Sequence, residues 1–198
     1  MIMKPSLCSL LVLFAFISSS ATAQFVHDIE GNDLINGGTY YILPRIWALG
    51  GGLKLAKTGN ETCPLNVVQS PSEIDNGLPW RIASPLRIRF IPTNTSLDFF
   101  SVEGKVPSCV PMPSKWIVVE EDGTKSVKVS AYENIPNGRF KIQPYNSWAY
   151  KIVFCPIYGV LVEILGFPRT LMERGVWLSL IKTLCLLCLS KLDHLIAK

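Results

Sequence analysis

From Gln24 to about Pro156 apolar stretches of a few residues exchange with polar and turn residues, in runs too short for helices. Tyr40-Tyr41-Ile42-Leu43 follows Asn36-Gly37-Gly38. Val67-Val68-Gln69 stops at Ser70-Pro71-Ser72. Residues 87–91 alternate charged and apolar side chains and end at Pro92. Residues 116–119 run into Glu120-Glu121-Asp122-Gly123, a turn. Residues 126–130, 139–143 and 149–154 alternate again, the middle one after Pro136-Asn137-Gly138. Short alternating runs separated by Gly, Pro, Asn and Asp at roughly 8–12-residue spacing predict an all-β sandwich or barrel. No helical period of useful length interrupts them.

The first 23 residues break this pattern. Lys4 supplies a positive start, residues 6–17 are mostly apolar, and Ala21-Thr22-Ala23 is a small-x-small site. This layout predicts a removable secretion signal at 1–23. The whole chain has 198 residues, 48% hydrophobic and 17% charged, with a formal charge of +4. That is one domain's worth of chain, too apolar and aromatic to be disordered. The small charge has no basic cluster, so nucleic acid is not an expected partner. Residues 176–189 are apolar but short and interrupted by Lys182, so no membrane span is expected.

Secretion changes the reading of the cysteines. Cys8 leaves with the signal, and Cys63, Cys109, Cys155, Cys185 and Cys188 remain. An oxidising compartment favours disulfides, yet an odd count leaves one thiol over. Asn60-Glu61-Thr62 and Asn94-Thr95-Ser96 are candidate N-glycosylation sites. No catalytic set converges. The two histidines, His27 and His194, lie near opposite ends. No metal-ligand cluster and no phosphate loop is present, and Cys185-x-x-Cys188 sits in an apolar run without a second pair. Neither a metal nor another cofactor is expected. The tryptophans at 47, 80, 116, 148 and 177 are scattered and read as core residues.

Several ordered words resemble the plant Kunitz-type (soybean trypsin inhibitor-like) family. They are Val26-His27-Asp28-Ile29-Glu30-Gly31-Asn32-Asp33-Leu34 and Asn36-Gly37-Gly38-Thr39-Tyr40-Tyr41-Ile42-Leu43. Further on come Cys63-Pro64-Leu65, Ser84-Pro85-Leu86-Arg87-Ile88-Arg89-Phe90, Trp116 and Tyr150-Lys151-Ile152-Val153-Phe154-Cys155-Pro156. The resemblance covers about 25–156 and implies a β-trefoil inhibitor domain over 24–156. It also implies a disulfide between Cys63 and Cys109, which should contribute roughly 3–4 kcal/mol by restricting the unfolded chain.

By position, the resemblance makes Arg87 the residue that enters a protease specificity pocket and Arg87-Ile88 the scissile bond. Trypsin-like enzymes hold a carboxylate in that pocket, and a guanidinium meets it with two charge-assisted hydrogen bonds. Asn36 matches the position whose side chain hydrogen-bonds the loop backbone. Pro85 and Pro92 bracket the loop and limit its freedom. The competing reading is that Arg87 and Arg89 are two equivalent charges on an exposed strand. A glycan on Asn94 would crowd a docked protease.

After Pro156 the family words stop, and residues 157–198 form a divergent segment. Read one base earlier in each codon, 171–178 permits Asp-Gly-Thr-Arg-Arg-Leu-Val, and 161–167 permits a cysteine, then Arg or Gly, then Asp-Ile-Gly-Ile. Both resemble the family's continuation. We therefore expect the reading frame to slip between Cys155 and Val162, through mutation or an error in assigning the gene. The last trefoil strands are then lost or altered, barrel closure suffers, and Cys155 is left without a clear partner. Together these readings predict a secreted or vacuolar, monomeric inhibitor of a trypsin-like serine protease, not an enzyme. A non-inhibitory storage or binding protein and a non-functional truncated family member are the alternatives. A carbohydrate-binding trefoil would carry repeated Gln-x-Trp words, which are absent.

Overall fold

The computed structural model describes residues 24–46, 50–121, 124–131, 138–146, 149–156, 162–163 and 187–191. The expected signal at 1–23, the proposed frame slip and Trp47, Trp148, Trp177 and Cys185 lie outside the described residues. Eleven strands follow in chain order: β1 Thr39–Pro44, β2 Leu53–Ala56, β3 Asn66–Gln69, β4 Pro79–Ala83, β5 Asp98–Ser101, β6 Ser114–Glu121, β7 Thr124–Ala131, β8 Gly138–Asn146, β9 Ala149–Pro156, β10 Val162–Glu163 and β11 Leu187–Lys191. There is no helix among the described residues.

Pairing closes a ring. β1 pairs β4, β4 pairs β5, β8 pairs β9, β9 pairs β11 and β11 pairs β1, all antiparallel. Leu97 and Phe140 exchange two backbone hydrogen bonds, of 2.8 and 3.1 Å, and join the β5 end to β8. Six strands therefore form a barrel: β1, β4, β5, β8, β9 and β11. The hairpins β2–β3 and β6–β7 lie outside the ring. The first and last strands of β1–β4, of β5–β8 and of β9–β11 are linked in the same way, which gives the chain a threefold pattern. A barrel of this kind removes the free edges that invite aggregation. Its closing strand, β11, comes from the divergent C-terminal segment, and five of its residues, Leu187 to Lys191, face Pro44 to Tyr40.

The core follows from the alternation. Trp80, Phe99 and Leu97 are fully buried, with Trp116 and Phe140 at 2% exposure. Phe99 stacks on Trp116 at 4.4 Å, and Trp80 meets Trp116 edge-on at 5.0 Å. Phe140 meets Phe99 edge-on at 5.6 Å and leans on Phe154 at 5.2 Å. These rings come from β4, β5, β6, β8 and β9, so one aromatic cluster joins most of the barrel. Edge-on and offset pairs add about 0.5–1.5 kcal/mol each beyond their buried area.

Two local departures from the sequence pattern stand out. Residues 87–91 alternate like a strand but belong to a loop, joined to the rest by single bridges such as Ile35 with Phe90. Pro85 and Pro92 withhold an N–H from any ladder, and the Asn36 side chain takes up two of the carbonyls between them. β5 shows no alternation, because Phe99 and Phe100 are both buried.

Candidate functional site

The loop of residues 84–89 leaves β4 and turns outward. Pro85, Leu86, Arg87 and Arg89 are exposed and Ile88 is half-buried. Leu86, the residue before Arg87, is 57% exposed. The Ile88 N–H donates to the Leu86 carbonyl at 2.9 Å, which bends the backbone tightly around Arg87. The Leu86 N–H in turn donates to Ser84 Oγ at 3.2 Å. Arg87 thus stands at the apex of a turn braced on its N-terminal side by Ser84, a contact that no sequence signal announced.

Asn36 braces the loop from beneath. Its Nδ2 donates to the carbonyls of Leu86 and Ile88, each at 3.1 Å, and to that of Ser84 at 3.4 Å. Its Oδ1 accepts the Ser84 N–H at 2.7 Å. One carboxamide therefore holds the backbone on both sides of Arg87. An asparagine suits this place because it offers donors and an acceptor at the end of a short, stiff stem.

Asn36 is itself held by its neighbours. Its N–H donates to Arg89 O at 2.9 Å, and the Gly37 N–H donates to Ile82 O at 2.8 Å. Gly37 has φ +82°, a conformation that favours glycine. The Ile35 N–H donates to the hydroxyl of Tyr40, which is buried at the start of β1. Preceding this turn, Val26, Leu34 and Ile91 are linked by backbone hydrogen bonds of 2.8–2.9 Å. The His27 N–H reaches the Tyr150 hydroxyl of β9 at 3.0 Å. The loop is thus anchored to β1, β4 and β9 through a segment that is mostly irregular.

Arg87 and Arg89 are not equivalent. The Arg89 guanidinium lies over the Phe90 ring at 5.0 Å. Arg87 has no ion-pair partner among the described residues. The exposed cation at the apex is Arg87 alone, which argues against two interchangeable strand charges.

Cys63 and Cys109 form the disulfide, with Cα atoms 5.8 Å apart and a sequence separation of 46. The loop lies inside that covalent circuit. Cys155 is a half-buried free thiol. Asn60 and Asn94 are both exposed. Asn94 adopts φ 63° and its N–H donates to Ile142 O at 2.9 Å. Asn60 sits in a turn fastened by Glu61, whose carboxylate accepts from Thr58, Gly59 and Asn66. No group of three or more His, Cys, Asp or Glu side chains suited to a metal occurs among the described residues. Nor, among them, is any helix long and apolar enough to cross a membrane.

Residues 26–168 match the Kunitz legume family, described as trypsin and protease inhibitor, so the match runs beyond Pro156. Trypsin inhibitor A of Glycine max is 44% identical over 168 residues, covering 78% of this chain and 74% of the relative. Chymotrypsin inhibitor ECI of Erythrina variegata is also 44% identical, over 65% of this chain and 73% of that one. Among solved structures, the complex of porcine pancreatic trypsin with soybean trypsin inhibitor aligns with TM-score 0.67 and 35% identity, over 86% of this chain and 100% of the other. The ring of six strands with its outer hairpins is accordingly a β-trefoil. The chain belongs to the plant Kunitz-type family of trypsin and protease inhibitors.

Proposed function

We propose that this protein inhibits trypsin-like serine proteases by presenting loop 84–89 as a substrate, with Arg87-Ile88 as the scissile bond. The observation that supports this most directly is the Asn36 carboxamide, which hydrogen-bonds the Leu86 and Ile88 carbonyls flanking Arg87. A loop already fixed in one shape loses little entropy on binding. If the bond is cut, Asn36 still holds one carbonyl on each new end, so the ends stay together and religation competes with release. Arg87 supplies the cation for the pocket carboxylate of such a protease.

Relatives named for trypsin inhibition support the enzyme class. A chymotrypsin inhibitor of equal identity directs attention to residue 87, since overall likeness does not separate the two specificities. The sequence at 1–23 and the exposed sequon asparagines Asn60 and Asn94 favour a secretory route, to the cell exterior or the vacuole. We take the acting species to be a monomer that needs no cofactor. The divergent stretch after Pro156 is best explained by a frame slip, and sequencing the transcript across codons 155–178 tests it. Codons that do not spell the family's residues in the shifted frame reject it.

The deciding experiment is a titration of trypsin with the oxidised chain and with Arg87→Ala. The parent should inhibit stoichiometrically. The variant should bind on the order of a thousandfold or more weakly, since a central arginine anchor is lost, while its β spectrum stays the same. Undiminished inhibition by Arg87→Ala rejects the assignment of that residue.

A further inference from the structure

The turn that braces the loop contains a chemically labile pair. We infer that Asn36-Gly37 is a latent deamidation site, silenced by the folded loop and acting, once the loop opens for long, as an irreversible off switch. The second half of this inference rests on the inhibitory reading of loop 84–89; the first does not.

Both residues are fixed by the structure. Residue 36 must offer two donors and an acceptor to reach Ser84, Leu86 and Ile88. Residue 37 has φ +82°, where a side chain strains the backbone although a Cβ would meet nothing within 4 Å. Asparagine followed by glycine is therefore unavoidable here. Without a Cβ on residue 37, its nitrogen approaches the asparagine side chain unhindered.

The reaction needs only water. The Gly37 nitrogen attacks Asn36 Cγ and forms a new C–N bond. The Cγ–Nδ2 bond breaks, and ammonia leaves with the proton given up by the Gly37 amide. Water then opens the cyclic imide, giving aspartate at 36 or its isomer with the main chain running through Cγ.

In the folded protein both partners are occupied. The Gly37 N–H donates to Ile82 O at 2.8 Å, so its nitrogen is tied to β4 and that bond must break before it can attack. The Asn36 carboxamide is held at both ends by four hydrogen bonds. Conversion would undo that bracing. A carboxylate has no N–H to donate and would set negative oxygen against the carbonyls of Leu86 and Ile88, keeping only the bond from the Ser84 N–H. The isomer would also lengthen the main chain between Asn36 N and Gly37 N, which now bond Arg89 O and Ile82 O. Either product should be cut as a substrate instead of stalling the protease.

Asn76-Gly77 is the internal reference. The Gly77 N–H is engaged by Asp75 Oδ1 at 2.9 Å, but the Asn76 carboxamide makes no hydrogen bond among the described residues. Folding should protect Asn36 more than Asn76.

The test ages the oxidised folded chain and the reduced, urea-unfolded chain side by side in mildly alkaline buffer. Peptide mass spectrometry then follows amide-to-acid conversion at each asparagine. Conversion of Asn36 should be at least about tenfold slower in the folded chain, because it must wait for local opening, and slower than at Asn76. Equal rates in folded and unfolded chains overturn the protection. The acid species is then separated by charge from aged, still folded protein and assayed beside Asn36→Asp. Each should bind trypsin on the order of a hundredfold more weakly, with backbone carbonyls left unmatched, and be cleaved at Arg87-Ile88. Full inhibition by the separated species overturns the switch. If even the unaged parent fails to inhibit, the inhibitory reading and the switch with it fall, while the mass measurement still decides the protection.

Discussion

Arg87 and Arg89 carry the same charge two residues apart and have different surroundings. One stands at the apex of a braced turn, the other lies over a ring. Alternation alone does not tell them apart, since their spacing around Ile88 fits a solvent-facing strand equally well; only the resemblance singles out Arg87. Asp75 shows the same dependence on surroundings in its ionisation. Burial opposes its charge, but the Lys54 ammonium, the Ser70 hydroxyl and the Gly77 N–H outweigh it and hold the carboxyl below its usual 3.8. A group with a lowered folded pKa stabilises the fold above the unfolded value and loses that contribution as pH falls through the folded one. Asp75→Asn should therefore be less stable than the parent at neutral pH, with the gap in urea midpoint closing as pH drops below 3.8. A gap that stays constant down to strongly acid pH would contradict this role for Asp75.

At the scale of elements, β7 and β8 are legible from their alternation and β6 and β9 from short apolar runs, all bounded by turn residues. The register of Glu121 opposite Thr124 even fits the two-residue Asp122-Gly123 connection. β4 and β5 are less legible, the first opening on a proline and the second burying two adjacent aromatics. Residues 87–91 read as a strand but form a loop, because the side chain of residue 36 takes carbonyls that a ladder partner would otherwise hold. β11 is the element least expected from sequence, since Leu187–Lys191 lies in a stretch without family words. Its five pairings complete the backbone ladder of β1. A chain ending at residue 186 should lose about 3 kcal/mol or more by exposing that edge. Its urea midpoint and its tendency to aggregate measure this. An unchanged midpoint would show that β11 contributes nothing to closure.

For the whole molecule, the disulfide and the loop are topologically linked. Cys63 precedes Arg87 and Cys109 follows Ile88, so a cut between them leaves two pieces joined by one covalent bond. After long exposure to catalytic trypsin the inhibitor should stay in one piece without reductant, heavier by one water, and split into two fragments with it. Separation without reductant would contradict the pairing. Removing the bridge by Cys63→Ser should cost about 4 kcal/mol in the chain-entropy account. Inhibition should also weaken, because the cut ends would then be held by hydrogen bonds and packing alone.

The sequence alone determined what depends on local chemistry. It set out short strands between turn residues, a tryptophan-bearing core, a proline-bracketed segment around Arg87, and, through resemblance, the family, the Cys63–Cys109 pairing and the role of Asn36. Tertiary structure decided what depends on contacts between distant residues. It brought Asn36 under a loop 50 residues away, separated Arg87 from Arg89, and joined Leu97 to Phe140. It also recruited Leu187–Lys191 to close the ring. Period-two patterning reports which face of a strand is buried. It carries no information on which strand lies alongside, nor on which side chain takes the place of one.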